Sequence, residues 1–258
     1  ATTEIYTLSL HDALPIYHAS RVELLCVGSA ALHSTPEQVE ERFAVAYASF
    51  TELCAAAAAI GSLGAATIAR EVEETGTDTA DLRERMHATL GVMREAVHAG
   101  LQGSTKSRSG LVGGDAELVS GAREGPIGAP FTTVLAAALA TAEVNAAMGR
   151  IVAAPTGGAS GVLPAVLLTC AERSGLDDDA LVGGLFASAG VGGVIAARAT
   201  LAGAAGGCQA EIGSAAAMAA AAVVDMYGGT PEQCGHAASL ALQGLMGLVC
   251  DPVGGLVE

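Results

Sequence analysis

Gly-Gly-Cys-Gln-Ala-Glu-Ile-Gly-Ser-Ala-Ala-Ala-Met-Ala-Ala-Ala-Ala-Val-Val-Asp-Met-Tyr occupies residues 206–227. After the glycine pair, the segment 209–227 is apolar on nearly every face. Alanine is the strongest helix former, and a helix apolar all round has to be central. Residues 180–198 read the same way. Around these two, further helices are legible. Thr79 to Ala99 repeats Leu82, Met86, Leu90, Met93 and Val97 at helical steps, with Gly100 as the expected stop. Residues 49–75 predict one or two helices, split near Gly61-Ser62-Leu63-Gly64. Phe131 to Arg150 predicts a long buried helix. Gly161 to Ser174 predicts another, with Pro164 in its first turn. Thr230-Pro231-Glu232-Gln233 is a capping box that opens a helix to about Leu248, with Ala237, Leu240, Ala241, Leu245 and Leu248 as its apolar stripe. Thr35-Pro36-Glu37-Gln38 repeats the device. Period-two alternation is scarce. The expectation is an all-α, single multi-helix domain with buried Ala/Gly-rich helices.

Composition agrees. Apolar residues make up 51% of the 258, yet aromatics are only 3% and Trp is absent. A core of small side chains implies close backbone approach, which suits packed helices. The formal charge of −15, with Lys106 the one lysine, excludes a nucleic-acid surface, which needs clustered Lys and Arg. It also disfavours an anionic membrane. The stretches 125–142, 151–171 and 180–197 hold no formal charge and invite a transmembrane reading. Their Ala and Gly content, Pro155 and Pro164, and the lack of interfacial Trp favour buried helices and loops, with no membrane contact. Six cysteines without a CxxC pair predict a reducing compartment, taken as cytoplasmic.

Residues 6–16 match the in-frame translation of a common short-read sequencing adapter, so residues 1–16 are set aside as a non-native lead-in. Residues 17–48, apart from the Thr35 capping box, match no known segment. Residues 49–258 form the expected domain. Its polar, glycine-rich connectors are 104–115, 154–161, 203–208 and 250–255, and these loops are where a site is expected.

Five ordered blocks lie along 49–258: Lys-Ser-Arg-Ser-Gly-Leu-Val-Gly-Gly-Asp-Ala (106–116), Glu-Val-Asn-Ala-Ala-Met-Gly-Arg-Ile-Val-Ala-Ala-Pro-Thr (143–156), Ser-Gly-Val-Leu-Pro (160–164), Gly-Gly-Cys-Gln-Ala-Glu-Ile-Gly (206–213) and Gly-Leu-Val-Cys-Asp-Pro-Val-Gly-Gly-Leu-Val-Glu (247–258). Together they resemble the α chain or catalytic domain of the iron–sulfur-dependent bacterial L-serine dehydratases. The chain departs from many relatives at Ala202, Ala205 and Gly244. The resemblance implies a [4Fe–4S] cluster held by Cys208, Cys250 and a third cysteine in a Val-Pro-Cys segment expected beyond Glu258. Truncation before that cysteine is the expectation for this chain, with weak or absent activity. The resemblance also implies L-serine as substrate, a β chain or β domain as partner, and an oligomer. One cluster iron left open would act as a Lewis acid on the serine hydroxyl while a base removes the α-proton.

For the remaining residues two readings stand side by side. Ser107, Arg108 and Ser109 offer donors for a carboxylate, or form a surface turn. Thr156 and Ser160 flank a glycine loop that would present N–H groups to an anion, or they cap a helix. Asp115 is a candidate base or a cap. Glu211, one turn beyond Cys208, is an acid–base candidate or supports the cluster, and if buried it needs a partner or a raised pKa. Asn145 orients substrate or is a satisfied core amide. Cys26, Cys54, Cys170 and Cys234 read as small buried apolar groups, and His87, His98 and His236 as solvated or cap residues.

Four alternatives remain. A pyridoxal-phosphate dehydratase needs a Schiff-base lysine, and only Lys106 is present, so no pyridoxal phosphate is expected. A cysteine desulfidase would eliminate sulfide on a similar domain. A transporter with glycine-broken helices, or a non-catalytic fragment, would carry the helices without the chemistry.

Overall fold

The computed structural model describes residues 5–7, 47–103, 105–107, 109–122, 128–201 and 206–248. In chain order the elements are β1 (Ile5–Thr7), α1 (Phe50–Ile60), α2 (Leu63–Thr75), α3 (Thr79–Leu101), α4 (Asp115–Gly121), α5 (Ala129–Ala146), β2 (Ile151–Ala153), α6 (Val162–Ser174), α7 (Asp178–Arg198), α8 (Cys208–Met226) and α9 (Pro231–Gly244). The all-α expectation holds, with nine helices among the described residues. The strands form only a three-residue parallel pair, Ile5 against Ile151 through Thr7 against Ala153. Three residues of the segment set aside as a lead-in thus add a strand. Such pairing uses backbone groups that every non-proline residue carries.

The central helices are α7 and α8, as expected. α7 packs on α2 and α8, and α8 also contacts α6 and α9. Missing side chains make this close packing possible. A Cβ on Gly64 of α2 would lie 2.3 Å from the Gly183 carbonyl oxygen of α7, and one on Gly190 would lie 2.3 Å from Thr67 Oγ1. On the side toward α8, a Cβ on Gly184 would lie 2.5 Å from Met226 Sδ. Phe186, Leu185 and Leu181 fill what remains of this core with Leu53, Leu63 and Leu163. α7 is long and apolar enough to cross a membrane, with a mean hydropathy of 1.9 over its most apolar window, and 67% of that window is buried inside the protein.

Local chemistry sets the ends. Ser49, Ser62, Asp78, Asp177 and Thr230 each cap the helix that follows, and Thr230 and Gln233 close the expected capping box. α2 receives a second, long-range cap, because the Asp225 carboxylate accepts from Leu63 N–H at 2.8 Å and Gly64 N–H at 3.1 Å. The split at 61–64 is where expected, with Gly61 ending α1.

Several boundaries differ from the sequence reading. Gly100 does not stop α3. It is buried inside the helix, and a Cβ there would sit 2.1 Å from the Ala140 carbonyl oxygen of α5, so it marks a helix crossing. α5 ends at Ala146, not Arg150, because Met148 takes a left-handed φ of 61° before the chain enters β2. α9 ends at Gly244, and the expected stripe is displaced: Cys234 and Ala238 face the core while Leu240 is 66% exposed. The short helix α4 was not expected as an element. The capping box at Thr35 lies outside the described residues.

Two predictions follow from this packing. Gly100→Ala should lower stability by about 1–3 kcal/mol in urea unfolding, since the added methyl meets backbone that cannot yield without separating α3 from α5. An unchanged midpoint would contradict the crossing. The second concerns Glu71 of α2, which is 1% exposed with neither carboxylate oxygen partnered among the described residues. Burial, with the Glu74 charge adding to it, raises its pKa from 4.5 to about 7. The folded state therefore keeps a proton that the unfolded chain releases, and stability falls as pH rises through that interval. Relative to Glu71→Gln, the wild type should lose roughly 2–3 kcal/mol between about pH 4.5 and about pH 8. Parallel stability–pH curves for the two proteins would rule this out.

Candidate active site

Two polar loops meet the C-terminal end of α5. The first, 105–114, is closed by its own serines. Ser107 Oγ accepts from Val112 N–H at 3.2 Å and lies 3.1 Å from Ser109 Oγ, which accepts from Leu111 N–H at 3.1 Å. Ser107 N–H in turn donates to the Val112 carbonyl at 2.8 Å. Ser107 is buried and Ser109 exposed. The hydroxyls expected to receive a carboxylate thus also build the turn that presents them. Arg108 lies outside the described residues.

This loop is anchored by a residue that sequence reading passed over. Glu143 is buried at 1% exposure, and its two oxygens accept from Gly114 N–H at 2.9 Å and Ala116 N–H at 2.8 Å. It serves as the N-terminal cap of α4, whose N-cap Gly114 makes no side-chain hydrogen bond. Asp115 is the exposed first residue of α4 and does not cap it. The signal for Glu143 was a lone carboxylate on an apolar helix, which requires a partner.

The second loop, 154–161, begins with a cis Ala154–Pro155 bond. Its Gly157 carbonyl accepts from Asn145 Nδ2 at 3.0 Å and from Ser160 N–H at 3.2 Å. Asn145 is therefore a partly buried amide that holds the loop. Neither Thr156 nor Ser160 caps α6, whose N-cap is Gly161 without a side-chain bond. Thr156 Oγ1 donates to Glu211 Oε1 at 2.5 Å, across 55 residues. A Cβ on Gly158 would lie 3.3 Å from the same oxygen, so glycine lets the loop backbone close on the carboxylate. Ser160 Oγ, and Thr105 Oγ1 of the first loop, are buried without a hydrogen-bond partner among the described residues.

Glu211 sits in the first turn of α8, three residues after Cys208, which begins the helix partly buried. Gly207, with φ of 74°, turns the chain into α8 and leaves open space where a Cβ would stand. Gln209 Nε2 donates to the Leu248 carbonyl, which brings the chain two residues short of Cys250 beside Cys208. Cys250 itself lies outside the described residues, and among those described no three His, Cys, Asp or Glu side chains gather as a metal site. What is described fits an anionic thiolate-bound cluster: a cysteine at a helix N-terminus, a glycine-opened approach and the chain at Leu248 bonded to the neighbouring Gln209. Of the thiols expected to be buried apolar groups, Cys234 is one, whereas Cys54 and Cys170 are half-buried and Cys54 Sγ donates to the Pro231 carbonyl at 3.4 Å. Burial raises all three, Cys234 to about 12, so none is a ready thiolate.

A family model described as "Serine dehydratase alpha chain" matches residues 58–258. The chain belongs to that family. It is 47% identical over 194 residues to a protein named "Probable L-serine dehydratase, alpha chain" from Bacillus subtilis (strain 168), covering 74% of this chain and 64% of that one. It is 42% identical over 191 residues to "L-serine dehydratase, alpha chain" of Peptoniphilus asaccharolyticus, covering 73% and 65%. It is 38% identical over 195 residues to "L-serine dehydratase" of Streptomyces coelicolor, covering 73% of this chain and 42% of that one. The chain thus spans under two thirds of the length of these relatives. All five blocks that carried the resemblance overlap the matched region. A separate cleft of about 750 Å³, lined by Arg94, His98, Thr132, Thr133 and Glu172 among others, carries none of the expected site residues.

The Thr156–Glu211 contact yields a stability prediction. Thr156→Val removes the donor from a partly buried carboxylate and should cost about 1–3 kcal/mol, while Thr156→Ser should restore most of it. Equal unfolding midpoints for all three proteins would show that the contact does not form in solution.

Proposed function

We propose that this chain is the α-type catalytic part of an iron–sulfur-dependent L-serine dehydratase, converting L-serine to pyruvate and ammonia. The observation that carries the reading is the first turn of α8, where Cys208 and Glu211 stand three residues apart and loop 154–161 closes on Glu211 through Thr156. Cys208 and Cys250 would hold a [4Fe–4S] cluster with a third thiolate. Bound there, the cluster would supply a Lewis-acidic iron for the serine hydroxyl and ease departure of hydroxide.

The chain's own residues supply recognition and proton transfer. Loops 105–114 and 154–161 present serine and threonine hydroxyls and backbone N–H groups to the carboxylate of the amino acid, with Arg108 as its counter-charge. Glu211, held in orientation by Thr156, takes the α-proton. Asp115 is the second candidate base. Loss of the α-proton and the hydroxyl leaves aminoacrylate, which tautomerises to the imine and hydrolyses to pyruvate and ammonia. Lys106 is exposed in a turn, which favours this chemistry over a pyridoxal imine. The alpha-chain names of the Bacillus and Peptoniphilus relatives support a β chain as partner and an oligomer. The raised thiols and the oxygen-sensitive cofactor suit the reducing cytoplasm.

Anaerobic reconstitution with iron and sulfide tests the reading. With the third thiolate present, the expected outcome is a broad visible chromophore that bleaches in air or dithionite, together with oxygen-sensitive pyruvate release from L-serine. Cys208→Ser and Cys250→Ser should each lower bound iron and acid-labile sulfide, and Cys54→Ser and Cys170→Ser should not. Iron content indifferent to Cys208, or pyruvate formation abolished by hydroxylamine but unaffected by oxygen, would overturn it.

A further inference from the structure

Glu143 and Asn145 leave the same end of α5 in different directions. A two-residue step turns about 200° around a helix, so the two side chains lie on nearly opposite sides. Glu143 grips Gly114 and Ala116 at the end of loop 105–114, and Asn145 grips Gly157 of loop 154–161. One helix end thus holds both polar loops. Each loop also carries a buried hydroxyl without a hydrogen-bond partner among the described residues, Thr105 Oγ1 on one and Ser160 Oγ on the other.

We infer that Glu143 is a positioning residue for substrate recognition: it fixes loop 105–114 at the end of α5 so that the donors of that loop, Thr105 Oγ1 among them, are held in place for an amino-acid carboxylate. This rests on the proposed serine chemistry for the identity of the ligand. The grip is stronger than an ordinary cap. Both bonds are charge-assisted, both oxygens are used, and the carboxylate comes from a helix 27–29 residues distant in sequence. A short helix such as α4 offers little stability of its own, so the place of its first turn is set by what holds it. Glu143 touches only backbone amides and no reacting atom, so it acts through the loop.

A cap that served stability alone would, when weakened, lower the unfolding midpoint and leave serine binding as it was. A positioning residue separates KM from kcat. The decisive variant is Glu143→Gln, nearly isosteric, in which one oxygen still accepts while the amide group opposes the second N–H. The variant, reconstituted anaerobically with the third thiolate present, is compared with its wild type by amide hydrogen exchange, with and without L-serine, and by steady-state kinetics. Expected are exchange of segment 105–116 faster by about tenfold, unchanged protection of α7 and α8, and unchanged iron content. KM for L-serine should rise about tenfold with kcat changed less than about threefold. L-serine should slow exchange at 105–116 in the wild type and not in the variant. Unchanged exchange at 105–116, or a loosened loop with KM unmoved, overturns the proposal. So does loss of protection throughout the chain in both Glu143→Gln and Glu143→Ala, which would make Glu143 a general element of the fold. If the wild type neither binds nor turns over L-serine, the serine reading fails, while the contrast at 105–116 still decides whether Glu143 sets the loop.

Discussion

The direct approach of α7's backbone to its neighbours is the constraint on which the rest depends. With almost no aromatic side chains to fill space, the core gains contact by bringing backbones together. Gly64 against Gly183, and Gly190 against Thr67, press α2 onto α7; Gly184 against Met226 does the same for α8. A methyl group on Gly64 would meet the Gly183 backbone and push the helices apart, and one on Gly190 or Gly184 would collide with the Thr67 or Met226 side chain. The cost of so many small residues is a helix with weak intrinsic preference at each glycine, and burial on several sides compensates for it. The same contacts hold α8 against its neighbours, and with it Cys208 and Glu211 at its start.

Close helix packing leaves the helix ends with backbone N–H groups that need partners, and a partly buried and a buried carboxylate provide them. Asp225, near the end of α8, caps α2 through Leu63 and Gly64; Glu143, near the end of α5, caps α4 through Gly114 and Ala116. Burial lifts the Asp225 pKa and those two backbone bonds pull it back. Glu71 shows the opposite case. It is as buried as Glu143 but without a hydrogen-bond partner among the described residues, and it holds its proton to about pH 7. A carboxylate in this core is thus either a connector between distant segments or a neutral acid, and the number of N–H groups it meets decides which.

How much of this was legible follows from the range of each interaction. Caps such as Thr230 and the split at Gly61-Ser62 are local, and the sequence reading placed them closely. The centrality of 180–198 and 209–227 was also legible, since a helix apolar all round has nowhere else to go. Gly100 was misread because a helix stop and a helix crossing call for the same residue, and only Ala140 on another helix tells them apart. The apolar stripe of α9 was misread because Leu240 and Leu245 share a spacing, and spacing alone does not say which face is covered. In the site, Thr156, Ser160, Asn145 and Glu211 were all named beforehand as separate candidates. Their connections were not, because Thr156 meets Glu211 across 55 residues and Asn145 meets Gly157 across 12. Glu143 stood beside Asn145 in a quoted block and went unread, because its partners are backbone amides that leave no mark in the sequence.

The glycines show why such a site belongs on such a core. At Gly64, Gly100, Gly184 and Gly190 in the helices they are sites of collision, where an added Cβ would meet a neighbour's backbone or side chain. At Gly114 and Gly207, where the chain turns into α4 and α8, φ is positive and an added Cβ would meet nothing within 4 Å. The first kind removes side chains so that elements can touch, and the second turns the chain into the helices that carry the site. Gly158 is exposed, and a Cβ added there would lie 3.3 Å from Glu211 Oε1. A tightly fixed frame beneath and open backbone above is what small anionic ligands require, because their recognition depends on donors held in place before the ligand arrives. The glycine content first reads as a property of the core, but at these loop positions it is equally a property of the site.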